Sequence, residues 1–204
     1  MYQKAILKSV SILAICTVLA VVVMPLAAEE GEEALPVRFS GTLIATAGMA
    51  SGMTRVTITV EEWSSEEARK ELYVALRDGG TSGLVEAMDK LDVGYIQINN
   101  SLGYRLRSAA SWETEKGRMI RVVTDRPIAF AESWRGTRSQ DYPIGVVEFI
   151  LPPDGPGEGT LLAASQVNID ENGRIEVKSL PNNTGPQKLS NVEQVRVKKK
   201  KKSE

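Results

Sequence analysis

The sequence predicts an α+β fold: a predominantly antiparallel curved β-sheet or partly closed barrel of about nine strands, with an inserted helical hairpin. Residues 144–180 have the composition of a three-stranded antiparallel meander, and alternating apolar and polar segments recur before them. Helical periodicity is confined to one stretch, 64–91, with no alternating strand–helix rhythm around it. So many strands favour closure, because closure removes exposed sheet edges.

The meander is predicted from its residue types and its turns. Residues 144–151 form a nearly continuous apolar run rich in β-branched side chains, which is typical of a strand buried on both faces. Pro152 and Pro153 end that strand, because proline has no backbone N–H to donate. The next two strands, 160–170 and 175–180, are joined through Asn172 and Gly173, which tolerate the positive φ of a tight hairpin turn.

Before the meander, residues 37–45 and 55–63 alternate and predict a first hairpin of strands. Ser64 and Glu67 match a capping box, which starts a helix over about 65–77. Gly79 and Gly80 end that helix, and a shorter one starts at Thr81 or Ser82. Strands then follow over 95–99, 104–114 and 118–124, with a further candidate over 127–134.

The ends of the chain predict export and a basic tail. Residues 1–28 have the layout of a cleaved signal peptide, followed by a flexible lead-in over 29–36. The alternative is an uncleaved membrane anchor, since the apolar run from 10 to 24 is long for a leader. A single β-rich domain is expected over 37–181, and Pro- and Asn-rich residues then introduce a disordered basic tail over 182–204.

Composition excludes several classes of chemistry. The chain has no histidine, and its one cysteine, Cys16, lies in the leader, so Ser–His, Cys–His and ordinary zinc catalysis are excluded. No cofactor or metal site is predicted, because Asp154 and Asp170 fit turn chemistry better than a calcium loop. The body before the tail is acidic, so nucleic-acid binding is not expected.

The tail carries consecutive lysines that either bind an anionic membrane surface or remain solvated. These lysines are Lys198, Lys199, Lys200, Lys201 and Lys202.

The segment 126–142, just before the most buried strand, is the predicted ligand-binding surface. Arginine offers a planar fork for carboxylate or phosphate, and Trp and Tyr offer flat faces for a ring or a sugar. In the alternative interpretation, Trp134 caps the barrel end and the arginines pair with Asp125, Glu132 and Asp141. The candidate ligand-binding residues are Arg126, Trp134, Arg135, Arg138, Asp141 and Tyr142.

These observations favour an exported, non-enzymatic module that binds a small or anionic ligand or a cell-envelope partner. The first alternative is a carboxylate-dependent hydrolase using Glu148, the acid that interrupts the apolar run 144–151. The second is a purely structural envelope protein. Two carboxylates converging in one concave pocket would favour the enzyme, and an apolar cavity with no titratable pair would favour binding. A filled interior without a pocket of ligand size would favour the structural protein.

Overall fold

The computed structural model describes residues 35–45, 52–99, 102–128, 142–169, 175–179 and 186–196. The elements of this part of the chain are β1 (Val37–Ala45), β2 (Gly52–Val60), α1 (Glu66–Met88), β3 (Gly94–Ile98), β4 (Tyr104–Thr114), β5 (Gly117–Thr124), β6 (Ile144–Leu151), β7 (Gly157–Ile169), β8 (Ile175–Ser179) and β9 (Gln187–Val195).

Eight of the strands close an antiparallel β-barrel, as the alternating sequence pattern predicts. Their order around the barrel is β6, β5, β4, β3, β2, β1, β9 and β7, and pairing of β6 with β7 closes the ring. The ninth strand, β8, pairs with the C-terminal half of β7. The predicted antiparallel meander of β6, β7 and β8 is therefore confirmed.

The barrel interior is a packed apolar core. Phe39 and Phe149 meet edge to face within it, with ring centroids 5.2 Å apart. An eight-stranded barrel is just wide enough for side chains to fill. The other large, fully buried side chains of this core are Leu43, Val56, Ile58, Ile96, Leu106, Ile120, Ile128, Leu161 and Leu189.

The helix starts one residue later than the sequence predicts. Ser65 is the N-cap, and its side chain accepts a hydrogen bond from the Ala68 backbone N–H at 3.2 Å. Ser64, the predicted cap, is bonded to β4 instead: its N–H donates to the Ala109 carbonyl at 2.8 Å, and its hydroxyl accepts from the Ala109 N–H at 3.0 Å. Pairing with β4 thus occupies Ser64 and leaves Ser65 to cap the helix.

Helix α1 is interrupted at Gly80, which has φ 61° and ψ −156° and separates two helical segments. A Cβ atom at Gly83 would lie 2.8 Å from the carbonyl oxygen of Ala75. Eight residues of straight helix rise about 12 Å, so the helix axis changes direction between Ala75 and Gly83.

Both helical segments cover the same patch of the barrel exterior. Leu72 and Leu76 of the first segment and Leu84 and Met88 of the second belong to one buried cluster. The barrel contributes outward-facing side chains of β6 and β7 to it, namely Ile144, Val146 and Val167. The apolar run of β6 is explained by this arrangement, since alternate residues face the barrel core and the helix.

The predicted domain end at residue 181 is wrong, because residues 187–195 form β9 between β1 and β7. Leu189 and Val192 are 1% exposed and pack into the barrel core. In a regular strand every second residue faces the same side, but these two core residues lie three apart. The cause is an irregularity in β9, where the β1–β9 register shifts beside Ser40 and Asn191 has φ 52°. Strict alternation, the usual mark of a strand, is therefore absent here.

Other expectations lie outside the described residues: the leader and lead-in over 1–34, the turn at 170–173 and the lysine tail. Of the predicted strand 127–134, the structure describes Pro127 and Ile128 and places neither in a strand.

Candidate functional site

The site is built where β5 leaves the barrel. The Thr124 hydroxyl accepts a hydrogen bond from the Gly145 N–H at 3.1 Å and donates to the Arg126 carbonyl at 2.6 Å. A Cβ atom at Gly145 would lie 2.6 Å from side-chain atoms of both Ile128 and Thr124, so this crossing requires glycine. The Ile128 N–H bonds to the Ala163 carbonyl at 2.8 Å, and its fully buried side chain closes the barrel end. Arg126 is thereby held at the rim.

A cleft of about 830 Å³ opens at this rim, between the second segment of α1 and the ends of β4 and β5. Three guanidinium groups and three carboxylates line it, with proline and small side chains between them. The charged residues are Glu86, Asp89, Arg105, Arg107, Asp125 and Arg126. We call this the rim cleft.

Arg107 ties the helix to the barrel inside the rim cleft. Its Nη2 lies 2.9 Å from Asp125, and the two side chains are only 17% and 16% exposed. It also lies 3.6 Å from Asp89 and donates to the Leu91 carbonyl at 2.5 Å. The buried Nε of Arg107 has no hydrogen-bond partner in the described structure.

Arg105 forms a more exposed pair on the outer side of the cleft. Its Nη1 lies 3.1 Å from Asp92, with side-chain exposures of 58% and 47%. Pairs at this exposure contribute about 0–1 kcal/mol to stability, so solvent and ions compete easily for both partners.

Arg126 differs from the other two arginines, since it makes no ion pair with any residue that the structure describes. Its guanidinium lies over the Tyr104 ring, 4.8 Å from the centroid, and donates to the Gly103 carbonyl at 3.3 Å. Stacking on an aromatic face fixes the plane of the guanidinium without neutralising its charge. Arg126 therefore presents an oriented cation to the rim cleft, with no acidic partner among the described residues.

The structure describes two of the predicted ligand-binding residues. Arg126 lines the rim cleft, and Tyr142 is half-buried beside Pro143, which is a lining residue. The other predicted residues, Trp134, Arg135, Arg138 and Asp141, lie outside the described residues. Asp125 bonds to Arg107, and Glu132 and Asp141, the other acids of the alternative interpretation, lie outside the described residues.

Sequence reasoning missed most of the cleft. Arg105 and Arg107 lie on the polar side of β4, a pattern that predicts solvent exposure and says nothing of a partner helix. Asp89 caps the C-terminus of α1, and only the packed fold brings it to Arg107. The one feature of the sequence that indicates the cleft is the high density of charged residues in 104–107 and 125–126.

The acid chosen for a hydrolase lies elsewhere. Glu148 accepts a hydrogen bond from Arg121 Nε at 2.6 Å on the outer face of the barrel, and its side chain is 37% exposed. Arg121 in turn lies 5.2 Å from the Trp112 ring centroid. Glu148 is thus a surface ion-pair partner rather than a buried acid.

A second cavity, of about 410 Å³, lies at the opposite barrel end beside Arg118 and Pro152. Arg118 there already stacks on Trp63, with 5.2 Å between guanidinium and ring centroid. Among His, Cys, Asp and Glu, the described residues contain only Asp and Glu. No three of these acidic side chains lie close enough together to bind a metal ion. Arg126 stacks in the same way, so stacking does not separate the two sites. The rim cleft is the better candidate because it has about twice the volume and is lined by six charged side chains.

In the part of the chain that the structure covers, no helix combines the length and apolar composition needed to cross a bilayer. The chain matches no protein-family model, no curated protein and no solved structure.

Proposed function

We propose that this chain is an exported, non-enzymatic binding module that captures a small ligand with an anionic group in the rim cleft. The observation that carries the proposal is Arg126, a guanidinium without an ion pair to a described residue in a cleft of about 830 Å³. Its planar fork matches a carboxylate or a phosphate, and Tyr104 holds that fork in one orientation.

The rest of the fold supports binding at the rim. The barrel interior is filled with side chains, so the ligand site lies outside it. In this proposal the two segments of α1 form a helical hairpin whose second arm is one wall of the cleft, and the close approach of Gly83 to Ala75 supports it. Arg107 fixes that wall to β4 and β5, which lowers the ordering cost of binding.

A titration with sodium caproate and with inorganic phosphate, followed through backbone amide NMR shifts, tests this function. We expect a saturable response of amides around Gly103, Tyr104 and Arg126. Arg126→Gln should weaken binding by about tenfold, as for one charge-assisted contact. Arg55→Gln, a matched change at an exposed position of β2, should leave it unchanged. Equal affinity in both variants would reject the rim cleft as the anion site.

The hydrolase alternative gains no support from Glu148, which is half-exposed and paired with Arg121 outside the cleft. The rim cleft holds three carboxylates, but Asp89 and Asp125 both pair with Arg107, which leaves Glu86 as a single acid rather than a catalytic pair. A structural envelope role fits the filled interior, but it gives no reason for a guanidinium at the rim that forms no ion pair with a described residue. Binding therefore accounts for more of the observed geometry.

We further propose that the lysines 198–202 bind an anionic membrane surface. Register places Val195, at the end of β9, beside Arg38, at the start of β1. Arg38 and Arg196 lie next to the tail, and Glu61 and Glu62 follow β2 at the same barrel end, so the expected attraction comes from the lysines themselves. Each lysine near an anionic bilayer contributes about 1 kcal/mol, and the attraction falls as salt rises.

Sedimentation with phosphatidylglycerol vesicles tests the tail. The truncation belongs after Val197, because β9 runs to Val195 and an earlier stop would remove part of the barrel. We expect salt-sensitive binding of the full chain, weak binding of the truncated chain, and weak binding of both to phosphatidylcholine. Equal sedimentation of the two chains with phosphatidylglycerol would reject the tail as a membrane contact.

A further inference from the structure

The charges of the rim cleft do not all neutralise one another. Arg107 pairs with Asp125 and Asp89, and Arg105 pairs with Asp92. The two charged groups of the cleft that have no ion-pair partner among the described residues are of opposite sign. Arg126 is one, and the other is Glu86, an exposed residue of α1 that forms no ion pair with a described residue.

Helix periodicity points Glu86 into the cleft. The lining residues from α1 and its C-cap are Ser82, Val85, Glu86 and Asp89, spaced i, i+3, i+4 and i+7. Residues at this spacing share one face of a helix. Asp89 on that face is engaged with Arg107, so Glu86 is the acid that remains for a ligand.

We infer that the ligand of the rim cleft is a small zwitterion, with its carboxylate or phosphate on Arg126 and an ammonium group on Glu86. This inference rests on the proposed function. A ligand with only negative charge would gain from Arg126 but would be repelled by Glu86 across the same cleft. An ammonium group turns that repulsion into attraction, and half-buried Val85 offers an apolar surface to the carbons between the two charges.

The arginine–aspartate pairs explain why the ligand does not use the other charges. Arg107 and Asp125 are each more than four-fifths buried and already hold each other. Separating them would leave an unpaired charge in a poorly solvated position. The ligand therefore binds to Arg126 and Glu86 and leaves the Arg107–Asp125 pair intact.

Compounds of graded charge and length test the inference on the full chain. Backbone amide NMR titrations with sodium caproate, n-hexylamine, ε-aminocaproate and γ-aminobutyrate give the dissociation constants. We expect one of the two amino acids to bind about threefold to fivefold more tightly than caproate, as for one added exposed ion pair. The preferred chain length then reports the spacing between Arg126 and Glu86.

Glu86→Gln is the decisive variant, and Glu71→Gln, at an exposed position of the first helical segment, is its matched control. Glu86→Gln should abolish the preference for the amino acid and raise the affinity for caproate, because the repelling charge is gone, whereas the control should change neither. Amino acids that bind no better than caproate, or a preference that survives Glu86→Gln, would overturn the inference and leave anion binding intact. Absence of any caproate response at Arg126 would overturn both.

Discussion

Arg107 connects its own strand, β4, to two other parts of the rim. It contacts Asp125 after β5, and it contacts Asp89 and the Leu91 carbonyl at the end of α1. Because Arg107 and Asp125 are mostly buried, removal of one partner leaves the other charge poorly solvated. Arg107→Met should therefore lower the free energy of unfolding by about 2–3 kcal/mol.

Urea denaturation measures this loss, and Arg105→Met is the matched control on the same strand. Arg105 forms an exposed pair, so its replacement should cost less than about 1 kcal/mol. Equal effects of the two substitutions would show that burial of the Arg107 pair does not matter to stability.

The residue scale also shows how far sequence reasoning reaches into the site. Arg126 is predicted from its residue type and its place before the buried strand β6. Its distinguishing property, the lack of an ion pair with described residues, depends on where Asp125 points. Asp125 turns to Arg107 on another strand, and no local pattern specifies that choice.

At the scale of elements, Gly80 decides the path of α1. Its φ of 61° lies in the left-handed region, and nothing lies within 4 Å of a Cβ atom added there. Gly80→Ala therefore carries a conformational cost without a steric clash, about 1–2 kcal/mol. Thermal unfolding should show a lower Tm for this variant.

Gly79→Ala is the control for Gly80→Ala. Gly79 has equally open surroundings but no positive φ, so alanine there should be neutral or slightly stabilising. If both variants unfold at the wild-type temperature, the backbone conformation assigned to Gly80 is wrong.

The elements follow the sequence where the pattern is regular and depart from it where pairing overrides the pattern. Strands β1, β4 and β6 have their predicted bounds, because alternation or a continuous apolar run marks each one. The helix cap moves from Ser64 to Ser65 because β4 pairs with Ser64. A bulge hides the periodicity of β9, so this strand is missed.

At the scale of the whole molecule, β9 completes the barrel between β1 and β7. Leu189 is 1% exposed in the core, so Leu189→Ala should lower the free energy of unfolding by about 2–4 kcal/mol. Val195→Ala, at a position that is 41% exposed on the same strand, should cost less than about 1 kcal/mol. A neutral Leu189→Ala would restore the expectation of a disordered tail and would contradict barrel closure.

The number of strands in the sequence favours barrel closure, because closure removes exposed sheet edges. The order of strands was not predictable, because β9 comes last in the chain yet lies between β1 and β7. The rim cleft depends on barrel closure, because the segment from Thr124 to Ile128 lies against the end of the closed barrel.

The NMR signal of the Arg126 Nε–Hε group during titration with sodium caproate tests anion capture at the rim most directly. This account predicts a saturable shift of that signal, with no comparable shift on titration with n-hexylamine. An Arg126 signal that stays unmoved while caproate shifts signals elsewhere on the barrel would contradict it.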